Sequence, residues 1–162
     1  MTTAKKPRPR RSPYKFVQHQ TTVSAAVGDA MSELQSLRDE LTEWKENLEE
    51  KLSHTDKYSQ LEDAINALEE HCDDDPDVPK MIAEMECTYT EMQPRSKRRG
   101  PSRARRCENA VAMLQAATDA AQEVVDDEQQ EQEARDACEA LVAELEEVIQ
   151  SAEGVEFPTM YG

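Results

Sequence analysis

The sequence predicts an all-α protein: an elongated helical hairpin or bundle with coiled-coil-like seams and a flexible basic N-terminal arm. Three observations predict it. Apolar residues recur at alternating spacings of four and three over long stretches, the period of one helix face. The aromatic fraction is only 4% and the charged fraction 33%, a composition for narrow buried seams rather than a thick core. Residues 102 to 152 contain neither glycine nor proline, so nothing in the chain chemistry interrupts a helix there.

Residues 1–17 read as an arm. Pro7, Pro9 and Pro13 block a helix, and Lys5, Lys6, Arg8, Arg10, Arg11 and Lys15 stand there without an acid. Tyr14 and Phe16 are candidates for stacking on bases or for stapling the arm to the first helix.

The first helix, Thr22 to Leu52, organises the rest. Val23, Val27, Ala30, Leu34, Leu37, Leu41, Trp44 and Leu48 form one seam. About 30 residues at ~1.5 Å each make a rod of about 45 Å, which needs a long partner. With Val27, Leu34, Leu41 and Leu48 at heptad position a, Glu33 and Glu40 fall at g and Arg38 and Lys45 at e. In a parallel pair Glu33 then meets Arg38 of a second copy, and Glu40 meets Lys45. Val27, Leu34, Leu37, Leu41, Trp44 and Leu48 are therefore the expected oligomer seam. A hairpin within one chain, with the helix from residue 102 covering the surplus, is the competing arrangement.

A second helix follows the Ser53–Asp56 junction, with Tyr58, Leu61, Ile65 and Leu68 leading to Cys72. In residues 73–79, Asp73, Asp75 and Asp77, with Glu84 beyond them, are spaced like ligands of a calcium loop. The required glycine is replaced by Val78, so the expectation is a helix cap and no metal. A third helix is expected from Val78, Ile82, Met85, Tyr89 and Met92, which completes an acidic helical unit over 18–93. Residues 94–106 then read as a basic loop carrying Arg95, Lys97, Arg98, Arg99, Arg103, Arg105 and Arg106. Cys107, Val111, Leu114, Ala117, Ala121 and Val124, then Ala134, Cys138, Leu141, Leu145 and Val148, predict one long acidic helix over 107–153; a hairpin bent at the apolar-free stretch Asp126 to Glu133 is the alternative, disfavoured because no turn former stands there. Residues 154–162 read as an extended tail whose apolar side chains, Phe157, Met160 and Tyr161, are free to dock on the rod or on a partner.

Charge carries the functional expectation. Thirteen of the 19 basic residues lie in the two acid-free runs, so six remain against all 35 acids and the rest of the chain carries about −29. The thirteen are the expected nucleic-acid contacts. The acidic rod itself, as a mimic of DNA that occupies a basic protein, is the alternative; the tail, whose Phe157, Met160 and Tyr161 have no seam to join, motivates a third, a structural part of a larger particle such as a virion. Cys72, Cys87, Cys107 and Cys138 form no C-x-x-C and read as reduced and buried. No apolar run reaches the length of a membrane span, and the expected location is the cytoplasm.

There is no glycine-rich phosphate loop, serine elbow or H-E-x-x-H. His19, His54 and His71 lack a nucleophile suitably placed in sequence. The expectation is a non-enzymatic, cofactor-free binding protein that forms homo-oligomers. Residues 32–48 (Ser-Glu-Leu-Gln-Ser-Leu-Arg-Asp-Glu-Leu-Thr-Glu-Trp-Lys-Glu-Asn-Leu), with Lys57-Tyr58 and 62–68, resemble helical segments of uncharacterised bacteriophage and mobile-element proteins. The resemblance implies a phage or bacterial setting, hence the host cytoplasm, and no catalytic residue.

Overall fold

A computed structural model describes residues 7–52, 54–98 and 100–158. The elements run β1 (Tyr14–Thr22), α1 (Val23–Leu52), α2 (Asp56–Cys72), α3 (Lys80–Ala83), β2 (Glu86–Pro94), α4 (Arg103–Asp126) and α5 (Gln132–Glu153). The fold is mixed α/β: a two-stranded antiparallel ribbon of β1 and β2 accompanies the helices. This corrects the all-α expectation.

The four long helices form a ring in the order α1, α2, α5, α4, each antiparallel to its neighbours. Lys45 pairs with Glu62 and Arg38 with Asp73, fixing α1 against α2. His71 lies 3.8 Å from Glu147, joining α2 to α5. The Cys107 thiol meets the Ala152 carbonyl at 3.5 Å, and Arg135 donates to the Val125 carbonyl at 2.9 Å, joining α4 to α5. Arg106 reaches Glu33 and Glu40, joining α4 to α1. Thr55 and Ser102 cap α2 and α4 by accepting from the amides of Tyr58 and Arg105.

The seam of α1 lies inside this ring. Leu34, Leu37 and Leu41 are fully buried among Leu61, Leu68, Leu114, Leu141 and Leu145 of the same chain. Burial of this kind contributes roughly 1.5–3 kcal/mol per side chain, and none of that surface remains for a second copy. Val27 is likewise buried; only Trp44 and Leu48 stay partly open. The expected oligomer seam is thus the monomer's core. The expected charge ladder between copies is also used internally: Glu33 and Glu40 both accept from Arg106, Arg38 pairs with Asp73, and Lys45 with Glu62.

Two further expectations are corrected. Residues 107–153 are two helices, with a break at 127–131. The Asp127 side chain accepts from the Gln129 amide at 3.0 Å, an Asx-type turn that needs no glycine. Asp127 to Glu131 has no apolar side chain to bury, whereas folding back buries the alanine-rich stripe of α4 against α5. The third helix shrinks to four residues, and Glu86–Pro94 is a strand. Tyr89 and Met92 do fit a helical period with Ile82 and Met85. The competing signal was Cys87-Thr88-Tyr89-Thr90, β-branched and aromatic residues in alternation, with a partner strand of the same kind at Tyr14–Thr22.

Among the described residues no helix is long and apolar enough to cross a membrane.

Candidate nucleic-acid interface

The ribbon decides where the basic residues go. Its register pairs Tyr14 with Pro94 and Thr22 with Glu86. Pairing continues one step past the strands, where the Arg95 amide donates to the Pro13 carbonyl at 2.9 Å. The Arg95 guanidinium then donates through Nε to the Ser12 carbonyl, also at 2.9 Å. The arm and the 95–98 turn, some eighty residues apart in sequence, are therefore stitched together at one end of the ribbon. Lys15 and Arg95 are exposed at that end, and Arg8, Arg10, Arg11, Lys97 and Arg98, on the two segments that lead away from it, are exposed as well. Phe16, 68% exposed, sits on the same end of β1.

One residue that the sequence did not mark ties the outer edge of the ribbon to α4. Asn109, on α4, is the sole buried polar or charged residue among those described. Its Oδ1 accepts from the Met92 amide at 2.9 Å, and its Nδ2 donates to the Met92 carbonyl at 3.1 Å. The side-chain amide thus satisfies the outer edge of β2 as a neighbouring strand would. An asparagine within an otherwise alanine- and valine-lined helical stripe was the available signal.

Arg103, Arg105 and Arg106 of the second run are engaged within the chain. Arg103, Arg105 and Arg106 form the first turn of α4, where the helix dipole disfavours cations, so the expected basic loop over 94–106 ends at Ser102. Compensation comes from neighbours. Arg106 bridges Glu33 and Glu40. Arg105 pairs with Glu108 at 2.7 Å and lies 4.5 Å above the Tyr14 ring. Arg103 stacks 5.2 Å over Trp44, with Lys57 at 5.7 Å from the same ring. Trp44, Leu48, Leu52 and Arg103 line an open cleft of about 560 Å³. Arg106, spanning two carboxylates, braces α4 against α1. Lys5, Lys6 and Arg99 of the predicted contacts, and Met160 and Tyr161 of the predicted tail, lie outside the described residues.

The acidic turn after α2 is held from α1. Gln35 donates to the Cys72 carbonyl at 3.2 Å and to Asp75 at 3.1 Å, while Arg38 takes Asp73. Burial pushes the Cys72 thiol up to about 11, helped by the charge of Asp73. Burial likewise pushes Cys107 up to about 12, with Cys72, Glu108 and Glu153 adding to it. Both are therefore protonated near neutrality and poor nucleophiles. His19 lies 2.5 Å from Glu91 and stacks on Tyr89 at 5.2 Å across the ribbon, a cross-strand pairing.

No family model, curated protein or solved structure matches this chain.

Proposed function

We propose that this protein is a non-enzymatic nucleic-acid-binding protein that grips the phosphate backbone with the basic cluster at the end of the ribbon. The observation that supports it is the junction of Pro13 with Arg95, which merges two acid-free runs into one exposed patch. Exposed cations brought near one point are what counterion release requires. The strongly acidic remainder repels phosphate within a Debye length of ~8 Å and so orients the polyanion toward the ribbon end. Phe16 beside the cluster offers a face for a base. Under this reading the protein works in the cytoplasm, where nucleic acid is accessible.

Titration of the full chain with duplex and single-stranded DNA over a salt series tests it. Each phosphate contact contributes a slope of about −0.9 for duplex and about −0.7 for single strands in log K against log salt. Neutralising Arg8, Arg10 and Arg11 should lower the slope, and so should neutralising Arg95, Lys97 and Arg98 independently. No binding at low salt, or slopes that ignore both sets, sinks the proposal. Capture of basic proteins that elute with salt, in place of nucleic acid, would instead favour the acidic surface as a phosphate mimic.

A further inference from the structure

The ribbon has a second edge. Hydrogen-bonded pairs in an antiparallel ladder alternate with pairs whose main-chain groups point outward. The Arg95 amide bonds to Pro13 and the Val23 amide to Met85, so the odd-numbered residues of β1 are the ones bonded to β2. The even-numbered residues therefore aim their N–H and C=O groups at the opposite side. On β2 the matching outward group, at Met92, is satisfied by Asn109. On β1 no strand or helix of the described chain supplies an equivalent. The Tyr14 amide turns back to Ser12 Oγ, which leaves Phe16, Gln18 and Gln20 as an unpaired row with exposed side chains. An uncovered edge of nine residues without a bulge is a template for another strand.

We propose that a second copy of this chain occupies that edge, with β1 pairing antiparallel to β1 across a two-fold axis through Gln18. This proposal is independent of nucleic-acid binding. The register follows from the row itself: an axis at Gln18, its midpoint, pairs the three outward residues with one another, Gln18 with its own copy and Phe16 with Gln20 of the other. Charge selects a copy as the occupant. The chain carries −16 overall, yet β1 contains no acid, so copies can meet there without acid facing acid. The ribbon is also polar end to end. Arg10, Arg11, Lys15, Arg95, Lys97 and Arg98 mark the Tyr14 end, and exposed Glu84 and Glu86 mark the Thr22 end. Antiparallel pairing lays the basic end of each copy beside the acidic end of the other. Lys15 falls opposite Thr21, not opposite another charge. The isologous geometry closes after two copies, giving a four-stranded sheet with the order β2, β1, β1, β2.

The axis at Gln18 makes the test specific. Residues of a hydrogen-bonded antiparallel pair have Cα atoms ~5.5 Å apart, within disulfide reach. Gln18→Cys should therefore cross-link into a covalent dimer on mild oxidation, while Phe16→Cys, which faces Gln20, should not. Any charge at position 18 meets itself, so Gln18→Glu and Gln18→Lys should both shift the protein toward monomer in sedimentation equilibrium. Gln18→Lys should meanwhile hold or strengthen DNA binding, which separates this contact from the phosphate patch. All three side chains point away from the core, and circular dichroism should show the helices intact. A wild-type protein that is monomeric at tens of micromolar overturns the proposal. So does a dimer that survives both charged variants, or one that cross-links equally well from position 16.

Discussion

Replacing Asn109 with alanine should detach the ribbon from the helices while leaving the helices formed. Both outward groups of Met92 depend on this one side chain, at 2.9 and 3.1 Å, in a residue only 8% exposed. A buried polar group left without a partner costs roughly 1–3 kcal/mol. Met92 is only half-buried, so water can recover part of the loss, and the expected destabilisation is about 2–4 kcal/mol for the two groups together. Urea unfolding followed by far-UV circular dichroism gives the magnitude. Amide hydrogen exchange gives the mechanism. Protection of the Met92 amide should collapse, because its acceptor has gone, whereas the amides of Tyr89 and Glu91, which face β1, should lose less. Asn109→Asp keeps the acceptor for the amide but sets a carboxylate against the Met92 carbonyl, so it should be at least as damaging. A loss below about 0.5 kcal/mol with Met92 still protected would show that the amide clamp does not hold the ribbon.

Three other outcomes follow from the packing. Leu37→Asp with Leu41→Asp places two unpaired carboxylates in a fully buried layer and should unfold the monomer; a folded protein with altered sedimentation would return the seam to an interface between copies. Gly28→Ala should stabilise by about 0.4–1 kcal/mol, since a Cβ there meets nothing within 4 Å and the helix interior gains an alanine; a loss in thermal unfolding refutes this. Alkaline pH should destabilise the fold through Cys72 and Cys107. Above the ordinary thiol value of 9.0 the unfolded chain releases these protons while the folded chain holds them to about 11 and 12. Stability from this source is thus complete below that value and falls as pH rises through the window, by about 1.4 kcal/mol per pH unit for each thiol. Cys72→Ala with Cys107→Ala should flatten the decline, and an unchanged slope would count against it.

The sequence by itself determined the helices that carry strong apolar periods. The stripes of α1 and α2, and both stripes of the chain after residue 102, are the faces that are buried, because a period of 3.6 residues admits one solution to hiding those side chains. The buried, unpaired cysteines were legible for the same reason. What covers a stripe is not written in the stripe. Leu34, Leu37 and Leu41 look the same whether they face a second copy or α2 and α4, and only the ring of helices decides it. The charges at 33, 38, 40 and 45 are equally mute, since a carboxylate accepts from Arg106 of its own chain as readily as from an arginine of another.

The strands escaped because each is half-exposed and stabilised by a partner more than sixty residues away. Tyr14–Thr22 alone resembles an arm, and Glu86–Pro94 alone supports a helical period as well as an alternating one. Pairing selects the extended form for both, and Asn109 anchors the result. The same long-range pairing turns two separate basic runs into one patch and leaves one strand edge open. Composition counts the charges, but their meeting point depends on which residues the register brings side by side.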